Sequence, residues 1–145
     1  MSKSNATEND YVKHVFNAVA VPSYGANLQV NFHTADPGEA GVATTNAPTY
    51  TDYAAVAVSR DGAGWVICDP DGTPNASGSA AKNAAEITFP ECNVSFVGTE
   101  SLTHGSVSVV ATGQILYSGA LTQSILVSAL MTPRLPVGTA IFKED

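Results

Sequence analysis

His33, Asp36 and Glu39 lie within seven residues and bring a base and two carboxylates together. Such a set can steer a proton transfer or hold a divalent cation. The spacing lacks the D-x-[DN]-x-[DN]-G order of a calcium loop. Pro37 and Gly38 follow Asp36 directly, and that composition favours a tight turn in which Asp bonds to its own backbone. The trio is therefore read as a turn. A second acidic group, Asp69, Asp71 and Asn75, offers calcium-compatible oxygens but sits in a Gly/Ser/Asn-rich stretch typical of a solvated loop. Ser59 beside Arg60 and Asp61, and Ser118 before Gly119, are hydroxyls near polar neighbours. Neither stands in a G-x-S-x-G elbow, and neither His14 nor His104 has triad spacing to them. No Gly-rich phosphate loop joins a strand to a helix. No residue is assigned a catalytic, cofactor-binding or metal-ligating role, and the expectation is a non-enzymatic protein without cofactors.

The elements that carry these residues are mostly strands. Leu28, Val30 and Phe32 alternate with Gln29, Asn31 and His33, giving one apolar and one polar face. Further strands are expected over 52–59, 64–68, 85–89, 94–97, 106–111, 114–118, 124–129 and 139–143. Turn signals separate them at Asp61-Gly62, Asp69-Pro70-Asp71-Gly72, Thr112-Gly113 and Pro136-Val137-Gly138. One helix is expected over residues 8–18, with Thr7 and Asp10 as a capping arrangement and Val12, Val15, Phe16 and Val19 as its apolar stripe. About nine short strands and one helix predict an all-β fold, an antiparallel β-sandwich or jelly roll with one short N-terminal helix. The chain reads as a single domain over 1–145, with residues 1–9 as a flexible arm and residues 69–82 as an exposed loop. Trp65, Phe89 and Phe96 are expected in the core, with Tyr53 and Tyr117 partly exposed.

Composition narrows the function. The 145 residues are 44% hydrophobic, enough for a core, but only 13% charged, against about 25% in typical domains. A surface poor in charge is easily desolvated against a partner, which favours an assembly component. Six Lys and Arg against thirteen Asp and Glu give a net charge of −7, so neither nucleic acid nor an anionic membrane is expected as partner. The first ten residues are polar, so no secretory signal is expected. Cys68 and Cys92 are expected as buried free thiols.

The segment Phe32-His33-Thr34-Ala35-Asp36-Pro37-Gly38-Glu39-Ala40-Gly41 resembles the "LHTADPGEAG" signature of small tailed-phage virion proteins. Residues 4–10 and His14-Val15-Phe16-Asn17 are similar to the helical start of such proteins. Tyr53-Ala54-Ala55-Val56-Ala57-Val58 is similar to their "GYARVAV" strand, and residues 83–90 to their "NAAAITFP". Leu116-Tyr117-Ser118-Gly119-Ala120-Leu121 matches "LYSGAL", and Glu144-Asp145 resembles the family's ending. Ala54-Ala55 lacks the cation of the family's Ala-Arg, and the 69–82 loop is long. The resemblance implies a head decoration (cement) protein, made in a host bacterial cytoplasm and carried on the capsid surface. The major capsid protein is the implied partner, and a homo-oligomer, dimer or trimer, the implied state. Some such proteins are described instead as tail-fibre proteins, which makes a tail or fibre component contacting tail proteins or a host receptor the alternative.

Overall fold

A computed structural model describes residues 2–144. In chain order the elements are β1 (Ser2–Lys3), α1 (Asn5–Asn17), β2 (Asn27–His33), β3 (Val56–Ser59), β4 (Trp65–Cys68), β5 (Ala80–Asn83), β6 (Ile87–Thr88), β7 (Glu100–Val109), β8 (Ile115–Val127), β9 (Arg134–Leu135) and β10 (Ile141–Lys143). They form a five-stranded sheet in the order β1-β8-β7-β2-β3, a three-stranded sheet β10-β5-β4 and a two-stranded sheet β6-β9. Every pairing is antiparallel. The fold is the expected all-β sandwich with one short N-terminal helix.

The two small sheets share one face of the large one, and each has its own core. Val30, Phe32, Leu102 and Val127 of the large sheet meet Ile87, Phe89, Tyr50 and Cys92. The Phe32 and Phe89 rings lie 4.2 Å apart. Beside this cluster, Val107, Val109 and Leu116 meet Ala140 and Phe142, with Trp65 and Tyr117 at the margin. Leu28, Val30 and Phe32 supply the apolar face of β2, as their alternation requires.

The long hairpin β7–β8 turns at Thr112-Gly113, where Gly113 has φ +71° and Gly113 N–H donates to the Val109 carbonyl at 2.8 Å. The expected strands 114–118 and 124–129 are one continuous strand, β8. Two register shifts against β7 bend it, between Leu102 and His104 and between Val107 and Ser108. The segment 94–97 is a turn and not a strand: Asn93 Oδ1 accepts from Ser95 N–H at 3.0 Å, and Phe96 N–H donates to the Asn93 carbonyl at 3.0 Å. Within 69–82, residues 80–82 belong to β5 and pair with β4 and β10, so the exposed loop ends at Ser79.

The expected free arm over 1–9 is corrected. Ser2 and Lys3 pair with Ser118 and Tyr117 as β1. Ser4 N–H donates to the Leu116 carbonyl at 3.0 Å, and Asn5 N–H to the Glu39 carbonyl at 3.1 Å. Met1 lies outside the described residues. The helix starts three residues before the expected Glu8, because the N-cap is Ser4, whose hydroxyl accepts from Thr7 N–H at 3.3 Å. It ends at Asn17, with Ala18 in the left-handed conformation at φ 55°.

Candidate functional site

The polar face of β2 is not solvated. His33 is fully buried, and Asn31 and its neighbours Ser106 and Ser108 on β7 are nearly so. The 34–47 loop supplies part of the cover: Thr34 N–H donates to the Asn46 carbonyl at 2.8 Å, and Asn46 Nδ2 donates to the Asp36 carbonyl at 2.9 Å. Asn31 Nδ2 donates to Ser106 Oγ at 3.2 Å and to Ser108 Oγ at 3.0 Å. His33 Nδ1 lies 2.7 Å from the Thr45 carbonyl, and Nε2 lies 2.7 Å from Ser106 Oγ. A carbonyl only accepts, so Nδ1 carries the proton and Nε2 accepts from Ser106. Burial holds the imidazole below its ordinary pKa, against the opposing bond to Thr45.

The structure therefore separates the trio that sequence placed together. Asp36 is exposed and caps Gly38 N–H at 2.8 Å. Glu39 is exposed, and its backbone carbonyl holds Asn5. Asp69 accepts from Asn75 Nδ2 at 2.9 Å, and Asp71 caps Thr73 N–H at 2.8 Å. Among the described residues, no three His, Cys, Asp or Glu side chains are grouped as a metal ion requires. Ser59 bonds Asp61 at 2.9 Å within a turn, and Ser118 lies on β8 opposite Ser106. Cys68 and Cys92 are free and buried.

Two residues that sequence did not single out fix the loops. Glu100 accepts from Thr49 N–H, Thr49 Oγ1 and Tyr50 N–H, each at 2.9 Å. Asn83, buried at the end of β5, donates to the carbonyls of Ala85 at 2.8 Å and Pro136 at 2.9 Å, while its Oδ1 accepts from Ala140 N–H at 2.9 Å. At the chain ends, Lys3 Nζ meets Glu144 at 2.5 Å, and Tyr117 donates its hydroxyl to the same carboxylate. Burial would raise the Glu144 pKa, but the bonds from Lys3 and Tyr117 outweigh it and hold the carboxyl below its usual range.

Apolar side chains are also exposed at the surface. The apolar stripe on α1 faces outward. Val12 and Val15 are each 51% exposed and Phe16 78%. Only Thr7 of the helix is buried. At another place on the surface, Val94, Val97, Leu126, Leu130 and Met131 are exposed. The turns that carry them are tied by Leu130 N–H to the Cys92 carbonyl at 2.7 Å and by Cys92 N–H to the Met131 carbonyl at 2.8 Å. Leu130 holds φ +64°, a left-handed conformation that a bulky residue rarely adopts. Between the two layers, a cleft of about 380 Å³ opens among Leu28, Leu116 and Tyr117 on one wall and Trp65, Ala81 and Phe142 on the other. Trp65, expected in the core, is half-buried at this cleft, edge-on to Phe142 with centroids 5.7 Å apart.

Exposed apolar side chains thus stand on a β scaffold. A family model described as podophage GP4 fiber I protein gp80 matches residues 2–142. The chain belongs to the Gp80 family. No curated protein matches it. Membership in Gp80 makes the chain a bacteriophage structural protein, in keeping with its β-rich fold and with side chains that serve turns and loop closure. No helix of the described residues is long and apolar enough to cross a membrane. The signal for the apolar surface was present in sequence, in the α1 stripe, but periodicity reports that a face is apolar and not what it faces.

Proposed function

We propose that this Gp80 protein is a fibre-type subunit on the outside of a podophage particle, attached through the exposed apolar turns at Val94, Val97, Leu130 and Met131. The match to the fibre I family over residues 2–142 carries the reading. The strained, exposed Leu130 supports it, because a backbone held in a rarely populated region is tolerated where surrounding structure enforces it, and such residues gather at binding sites. Low surface charge lowers the cost of drying these turns against a protein partner.

A second reading places the protein on the head as a decoration subunit bound to the major capsid protein. The resemblance of the Phe32–Gly41 segment to the signature of head decoration proteins favours it. Many modest contacts per particle would then add up through multivalency. Antibody-gold labelling of intact virions distinguishes the two. Label at the tail or collar supports the fibre reading, and label spread over the head supports decoration. Val97→Glu should reduce incorporation into particles in either case, because it places a charge in the proposed docking surface. Full incorporation of that variant would remove these turns as the attachment site.

A further inference from the structure

The helix α1 is held only at its first turn. Ser4 and Thr7 are buried against β8, and Asp10 accepts from Gln114 Nε2 at 3.2 Å. Every residue from 11 to 23 is exposed. A helix of 13 residues is marginal in water without tertiary packing. Its free face nevertheless carries Val12, Val15 and Phe16 at three- and four-residue spacing, as in a helix that enters an apolar groove, with Val19 just past its end. The same chain carries such a groove. The interlayer cleft of about 380 Å³ is walled almost wholly by apolar side chains. A dry apolar cavity of about 150 Å³ accommodates a benzene ring, so the cleft takes the Phe16 ring together with a neighbouring valine.

Position fits as well as size. A hollow lined by Thr7, Tyr11, Val21 and Tyr24 shares Leu116 and Tyr117 with the cleft, so the base of the helix stands at the cleft's mouth. A helix rooted beside its own groove suits reciprocal exchange about a two-fold axis, in which each contact is made twice. Residues 11–23 carry Lys13 and no acid, whereas the rest of the chain is strongly acidic. The cleft edge holds Asp61 beside Arg60, and the adjoining hollows hold Glu144 paired with Lys3, so no excess cation stands there to repel Lys13. The Arg60 guanidinium is already engaged by the Tyr24 ring and the Gly25 carbonyl. Phe16 and Tyr11, 78% and 60% exposed, bring roughly 250 Å² from one helix at the 150–250 Å² that an aromatic side chain buries. With the valines and two cleft walls, counted twice, the contact reaches the roughly 1,000 Å² that a specific interface requires.

We propose that the protein self-associates as a two-fold dimer in which α1 of each copy seats Phe16 in the interlayer cleft of the other. This goes beyond the virion reading and does not rest on it, since a monomer in solution leaves the site on the particle undecided.

The test is sedimentation velocity of the full chain from about 1 to 200 μM. The wild type should be dimeric in the upper part of that range. Phe16→Glu should weaken the dimer by about 30-fold or more, the loss expected for a central anchor. Ala81→Phe, which fills the cleft from the other side, should weaken it comparably. Circular dichroism of both variants should show the wild-type β spectrum. A chain carrying Phe16→Cys and Ala81→Cys should cross-link between copies on oxidation, and Phe16→Cys alone should not. A wild type monomeric at 200 μM overturns the proposal. So does a dimer unaffected by Phe16→Glu, or cross-linking through Cys at position 16 alone, which would mean helices meeting each other.

Discussion

His33 Nε2 accepts a hydrogen bond from Ser106 Oγ at 2.7 Å, joining β2 to β7 beneath the 34–47 loop. Nδ1 donates to the Thr45 carbonyl, and burial favours the neutral ring, whose Nε2 is taken by the Ser106 hydroxyl. The unfolded chain binds a proton at the ordinary histidine value of about 6.5. The folded chain resists, because burial lowers the His33 pKa. The unfolded state thus binds more protons below pH 6.5, and stability falls with pH there. The melting temperature should drop between pH 7 and 5, before the carboxylates titrate. His33→Gln should flatten that slope, and an unchanged slope in the variant would place the dependence elsewhere.

Glu100 closes the loop at Thr49 and Tyr50 through both carboxylate oxygens. Glutamine keeps one acceptor and turns its amide toward two of the three donors, such as Thr49 N–H and Tyr50 N–H. Glu100→Gln should cost about 1–3 kcal/mol, the range for donors left unpaired. Urea unfolding gives the number, and limited proteolysis should show faster cutting between residues 44 and 53.

The Asn83 side chain ties Ala85, Pro136 and Ala140 together, and the residue is 1% exposed. Asn83→Ala leaves these backbone groups unpaired inside the fold. A loss of about 2–4 kcal/mol is expected, since several buried polar groups lose partners at once. Asn83→Asp retains the acceptor for Ala140 N–H but faces carbonyls, so it should not rescue. Denaturant midpoints of the two variants check both statements.

Leu130 sits at φ +64° with its side chain 61% exposed. Glycine enters that region without strain. Leu130→Gly should therefore leave stability unchanged or raise it by up to about 1 kcal/mol, whereas leucine-to-glycine changes elsewhere destabilise. Thermal melts measure the first part. Reduced incorporation of the same variant into particles would show that the leucine is kept for binding.

The sandwich was legible because alternation on β2 and turn residues at Thr112-Gly113 and Pro136-Val137-Gly138 are local signals. The burial of Asn31 and His33 was not legible. Alternation marks them as the polar face, and cover from outside the strand, part of it by residues 34–47, turns that face inward. The start of α1 was missed for a related reason. Ser4 becomes the cap because β1 pairs with β8 more than a hundred residues away, and the Ser4 hydroxyl bonds the Ile115 carbonyl. The short strands β1 and β9 carry too few residues for any period to show. Asp36 and Glu39 looked like partners of His33 because sequence reports proximity along the chain. Strand geometry then sends the histidine inward, while the turn leaves both acids in water.

The most direct test of the central claim, that this Gp80 protein is built into the outside of the virion, is gold labelling of purified particles with antibody to the folded chain. Label at a fixed place on intact particles, at the tail for a fibre subunit, is the expected result. Particles that carry no label and contain none of the protein by mass spectrometry, while infected-cell lysate contains it, would contradict the claim.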